Sequence, residues 1–133
     1  MRSVRVMKGL AAFSILASTS VNATTFEERV DIARTAFETE QGKVYEQKLG
    51  PFIGNAIRIC IPPGSTSEEN LGKFIFIAEV SNEGKITDSE IQPATKVSKC
   101  FNKEFATQIL PPPPDSLIGI GGAPILVEMD IVP

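Results

Sequence analysis

An α+β fold is predicted for this chain, and three observations predict it. A capping pattern opens an amphipathic helix at Thr25. An aromatic and β-branched run, KFIFIAEV, is followed by an Asn-Glu-Gly turn and a second extended stretch. A later helical stripe is stopped by four consecutive prolines, after which one more alternating segment closes the chain. Helix and strand patterns that follow one another without a βαβ repeat imply an antiparallel sheet with helices packed on it.

Thr25-Phe26-Glu27-Glu28 has the Thr-x-x-Glu form of a capping box, which satisfies free amide donors while its acids favour the positive end of the helix dipole. Phe26, Val30, Ala33 and Phe37 follow at helical steps, and Val44, Tyr45 and Leu49 extend the stripe past a weak point at Gly42. The opposite face, with Glu27, Asp31, Arg34 and Glu38, is solvated. Gly50-Pro51 is expected to end this helix. Ile57–Ile61 is then a short apolar run carrying Cys60, either a further helical turn or a strand. Pro62-Pro63-Gly64 turns the chain, residues 65–72 read as loop, and Thr66-x-x-Glu69 could cap a single turn there.

Lys73–Val80 is predicted as a strand with Phe74, Phe76, Ala78 and Val80 on one face and Ile75 and Ile77 on the other. Apolar residues on both faces imply an inner position or cover from the first helix. Ser81-Asn82-Glu83-Gly84-Lys85 is a hairpin loop in which Gly84 supplies the positive φ, and Ile86–Ile91 returns as the partner strand. Its alternation sets Thr87, Ser89 and Ile91 against Ile86, Asp88 and Glu90. A helix from Thr95 to Leu110 places Val97, Phe101, Phe105 and Ile109 on one face with Cys100 beside them, and Pro111–Pro114 stops it. Gly119–Gly122 forms a loop, and Ala123–Val132 is the last strand, with Ile125, Val127, Met129 and Ile131 inward and Glu128 and Asp130 outward.

The first 23 residues read as a signal peptide. Arg2, Arg5 and Lys8 precede an apolar stretch from Gly9 to Ala17, and Val21-Asn22-Ala23 offers the small-x-small pattern for cleavage. The apolar stretch falls short of the roughly 20 residues that a spanning helix needs. Residues 24–133 are read as one α+β domain, made of an N-terminal helix and connector over 24–64 and a core over 72–133. The leader takes three of the 13 basic residues and none of the 16 acidic ones, leaving ten against 16, a formal charge of −6. That balance argues against nucleic acid and anionic lipid as partners, and no membrane anchor is expected after cleavage. A periplasmic or secreted location follows, and in an oxidising compartment Cys60 and Cys100 are expected to form a disulfide.

Residues 72–133 resemble the TonB C-terminal-like family. The marks are Gly72, an apolar strand, Gly84-Lys85-Ile86, a second strand, the helical stripe Val97 to Ile109 with Cys100 within it, Pro111–Pro114, and a last strand over Ile125 to Pro133. The resemblance implies a β-β-α-β core, here with an additional N-terminal amphipathic helix. It also implies recognition of a protein or peptide by strand addition, with the last strand as the edge and Glu128 and Asp130 as its outward charges, which block aggregation or, alternatively, select a basic partner. Energy transduction is not implied, since cleavage leaves neither an anchor nor a long Pro-rich spacer.

Catalysis is not expected. The chain has no histidine, no Gly-x-Ser-x-Gly and no cluster of metal ligands, and the Gly119–Gly122 stretch precedes a strand where phosphate loops precede a helix. Asp88 and Glu90, at i and i+2 on a strand about 7 Å apart, form a solvated face. No cofactor is expected. The function predicted is a non-catalytic periplasmic binding or adaptor module; the alternative is a small secreted inhibitor or immunity protein that blocks an enzyme.

Overall fold

The computed structural model describes residues 24–62, 68 and 71–132. The leader, the Thr66-x-x-Glu69 pattern and Pro133 lie outside the described residues. Among the described residues three α-helices and a three-stranded antiparallel sheet make an α+β fold in which helices cover both sheet faces.

Helix α1 spans Phe26–Glu38. The capping box closes in both directions: the Glu28 amide donates to Thr25 Oγ1 at 3.1 Å, and the Thr25 amide donates to Glu28 Oε1 at 2.8 Å. The backbone N–H of Thr25 thereby holds the Glu28 carboxyl below its ordinary value. Val30, Ala33 and Phe37 are buried, as their spacing predicts.

The stripe does not continue in the same helix. The chain turns at Thr39, which is extended, ends α1 and caps α2, Glu40–Cys60. Thr39 Oγ1 donates to the Ala36 carbonyl at 2.7 Å and accepts from the Gly42 amide at 3.0 Å, so one side chain serves both helix ends. Gly42 is the packing point of this corner, because a Cβ there would sit 2.0 Å from the Ala36 carbonyl oxygen. Tyr45 and Leu49 are buried, but Val44 is exposed.

Gly50-Pro51 does not end the helix, contrary to expectation; α2 runs through it to Cys60, and Ile57–Cys60 is its last turn. Proline at an interior position forfeits one backbone hydrogen bond, at a cost of about 3 kcal/mol. Tertiary attachment on both sides outweighs it. Leu49 and Ala56 are buried, the Phe52 carbonyl accepts from Gln108 Nε2 at 2.9 Å, and Cys60 is bonded to Cys100.

Strand β1, Gly72–Val80, is the centre of the sheet, with β2, Ile86–Gln92, on one side and β3, Ala123–Ile131, on the other. Gly84 carries φ +84 in the hairpin, and a Cβ on it would lie 2.0 Å from the Leu110 carbonyl oxygen. The strict alternation expected in β2 is broken. Ile77 pairs with Glu90 but Glu79 pairs with Thr87, so Asp88 and Ser89 together oppose Ala78 in a bulge, with Asp88 at φ 51. The extra residue puts Ile86 opposite Val80 and Ile91 opposite Phe76, on one face despite their odd spacing.

Helix α3, Lys96–Ala106, starts at Thr95 and ends four residues before the predicted Leu110. Ser98, fully buried, donates to the Pro93 carbonyl at 2.7 Å. At the other end the Leu110 amide donates to the Gly84 carbonyl at 2.9 Å, which draws the chain toward the hairpin before the prolines are reached. Ile109 is therefore exposed and not part of the stripe, and Leu110 takes the core position.

α3 packs on the face that carries Phe74 and Phe76. Phe101 and Phe105 stack with centroids 5.1 Å apart, and Phe76 meets each of them edge-on, at 5.6 and 5.2 Å. α2 lies beside α3 and is tied to it by the Cys60–Cys100 bond, with Cα atoms 5.8 Å apart and a sequence separation of 40. α1 crosses the opposite face, over Ile75, Ile77 and Leu126. The buried apolar residues of these layers form one cluster.

Tyr45 anchors α2 to the proline segment, its hydroxyl donating to the Pro111 carbonyl at 2.8 Å. Burial pushes its phenol up to about 12. The unfolded chain ionises near the ordinary value of 10.0, so the stability tied to the neutral phenol is whole below pH 10 and is lost as pH rises through about 12. Tyr45→Phe is expected to cost about 1 kcal/mol below pH 10 and to flatten the alkaline fall in stability. Urea midpoints taken across that range check both.

Candidate functional site

The sheet has two edges, and they differ in what they offer a partner. β2 is interrupted by the Asp88 bulge and leads into a cis Gln92–Pro93 bond. Bulges and prolines blunt an edge against further pairing. β3 is paired to β1 without a break over nine consecutive residues, Gly72 opposite Ile131 through Val80 opposite Ala123.

The hydrogen-bond alternation of that ladder identifies the outward groups. The Ser81 amide donates to the Lys85 carbonyl, so Ser81 points its backbone toward β2 and Val80 points toward β3. Counting by twos, Ala123, Ile125, Val127 and Met129 face β1, and Pro124, Leu126, Glu128 and Asp130 turn their backbone groups out. Pro124 fits this phase, since the amide it lacks belongs to no ladder.

Not all of the edge is open. Ala123, Ile125, Leu126 and Val127 are buried, and Phe37, Lys43 and Glu46 of the α1–α2 corner line a cleft with Leu126 and Glu128. From Glu128 onward the strand is exposed or half-buried. The outward amides that reach solvent are therefore those of Glu128 and Asp130. Among the described residues no hydrogen bond from another element meets the outer backbone of β3. The Glu128 carboxylate accepts from Arg34 Nη2 at 3.2 Å, and Asp130 lies opposite Lys73 in register. Met129 and Ile131, half-buried on the other face, give the open segment an apolar side.

Asp88 and Glu90, read in the sequence as a solvated face, meet around Arg29 of α1. Arg29 Nη1 donates to Glu90 Oε1 at 2.6 Å, Nη2 donates to the Asp88 carbonyl at 2.7 Å, and Nη2 lies 3.9 Å from Glu79 Oε2. Burial pushes the Glu79 carboxyl above its ordinary value in spite of the Arg29 charge, and Asp88 adds to the rise. Neither Arg29 nor Glu79 stood out in the sequence. Helical phase offers a partial signal: Arg29 is adjacent to the Phe26, Val30, Ala33 stripe and so lies at its border.

Among the described residues no helix is long and apolar enough to cross a membrane, and no group of His, Cys, Asp and Glu is arranged to hold a metal ion. The chain matches no protein-family model, no curated protein and no solved structure.

Proposed function

We propose that the chain is a non-catalytic recognition module of the periplasm or an extracellular space, with a core like that of TonB C-terminal domains, and that it binds an extended protein segment by strand addition to β3. The observation that carries this reading is the exposed half of β3, where the amides of Glu128 and Asp130 point outward from an unbroken ladder. An incoming strand would pair its backbone with those groups and lay alternate side chains beside Met129 and Ile131. The placement of β3 next to β1, after a hairpin and a helix, supports the family reading.

Peptide display against the oxidised protein supplies ligands for the test. Asp130→Pro removes an outward amide without touching the β1 ladder, and is expected to weaken selected peptides at least about threefold, the loss of one net hydrogen bond. Asp130→Ala keeps the amide and is expected to retain binding. Equal affinity of the wild type and Asp130→Pro would rule out strand addition at this edge.

A further inference from the structure

A second surface lies at the other end of the sheet, away from the open half of β3. A cleft of about 1180 Å³ opens between the first turns of α1, the bulged part of β2 and the 116–122 segment. Its charged residues are Arg29, Glu79, Asp88 and Glu90, three carboxylates against one guanidinium. Arg29 is committed to Glu90 and to the Asp88 carbonyl, so it is not free to receive an anion. The Asp88 carboxylate has no hydrogen bond or ion pair among the described residues, and the bulge holds the residue at φ 51, turned out of the ladder.

The rim is aliphatic. Ile32 of α1 and Ile120 of the loop both line the cleft, and both are exposed, Ile120 fully so. The loop is held in place at its base. The Gly119 amide donates to the Gly122 carbonyl at 2.9 Å, and Gly122, at φ +118, approaches β1 so closely that a Cβ would lie 2.7 Å from the Val80 carbonyl oxygen. The chemical complement of two exposed isoleucines and a net-negative set of carboxylates in one cleft is a long cationic side chain between aliphatic neighbours.

We propose that this cleft binds a basic segment of an extended partner peptide, a lysine or arginine side chain reaching Asp88 and Glu90 while the flanking aliphatic residues rest on Ile32 and Ile120. Only half of the requirement is electrostatic, so neither a bare cation nor a neutral apolar peptide satisfies it. The surface is separate from the β3 edge, and each can fail without the other.

The test is an amide chemical-shift titration of the oxidised protein with a capped hexapeptide of alternating leucine and lysine. Shifts are expected at Glu79, at Asp88–Glu90 and at Gly119–Gly122, and they are expected to persist in Asp130→Pro, which blocks pairing at the β3 edge. A matched peptide with glutamine in place of lysine is expected to bind about 1.5- to 5-fold more weakly, as is the lysine peptide to Asp88→Asn. Asparagine tolerates the left-handed backbone, so this variant keeps the bulge. Ile120→Ser is expected to weaken the peptide as well. Absence of shifts at these residues, equal binding of the glutamine peptide, or spermidine binding as tightly as the lysine peptide would overturn the proposal.

Discussion

Reduction of the Cys60–Cys100 bridge is expected to lower the unfolding free energy by roughly 3 to 4 kcal/mol. The bond closes a loop with a sequence separation of 40, and in the chain-entropy account its main effect is to restrict the unfolded ensemble. Its position adds a local effect. α2 bears the penalty of Pro51 in its interior, and past Ala56 its last turn has only half-buried apolar contacts, with Ile59 exposed. The bond to α3 is what fastens that turn to the body of the protein. Urea unfolding followed by circular dichroism, with and without reductant and on the Cys60→Ala, Cys100→Ala double variant, measures the loss. Both routes are expected to lower the midpoint by similar amounts and to raise the m-value, since a chain freed of its cross-link exposes more surface. An unchanged midpoint would show that helix packing alone holds α2.

Phe101→Ala is expected to cost about 3 to 5 kcal/mol, a large part of the roughly 5 to 15 kcal/mol by which a domain is ordinarily stable. Phe101 is fully buried, and its ring stacks on Phe105, meets Phe76 edge-on and lies 5.3 Å from Phe74. Removing it opens a cavity between β1 and α3 that rigid strand and helix backbones cannot close. Phe101→Leu is expected to cost far less, because most of the volume remains. The same urea titrations report both variants, and a loss under about 1 kcal/mol for the alanine variant would mean that α3 does not pack on β1 as described. Phe101 adjoins Cys100, so the effects of reduction and of Phe101→Ala are not expected to add.

Local physics made much of this fold legible. The Thr25–Glu28 box, the hairpin at Gly84, the core stripe of α3 and the inward face of β3 all depend on contacts within a few residues or on strict periodicity. What escaped depends on partners distant in sequence. The corner at Thr39 is set by the approach of Gly42 to Ala36, and the passage of α2 through Pro51 is held by Gln108 and Cys100. α3 ends early because Leu110 reaches back to Gly84. The bulge at Asp88 appeared only as a weak alternation in β2, and with it went the meeting of Asp88 and Glu90 at Arg29. Alternation along the last strand set Glu128 and Asp130 outward, and only the family resemblance made that strand a candidate edge. That the exposed part begins at Glu128 follows from the α1–α2 corner, which no spacing rule discloses.

Residue-resolved amide hydrogen exchange along β3, in the free protein and with a display-selected peptide bound, tests the proposed edge most directly. Val127 and Met129, bonded into the β1 ladder, should be protected in both states. Glu128 and Asp130 should exchange rapidly in the free protein and become protected when the peptide binds. Protection of those two amides before any ligand is added, or rapid exchange that persists in the complex, would contradict recognition by strand addition.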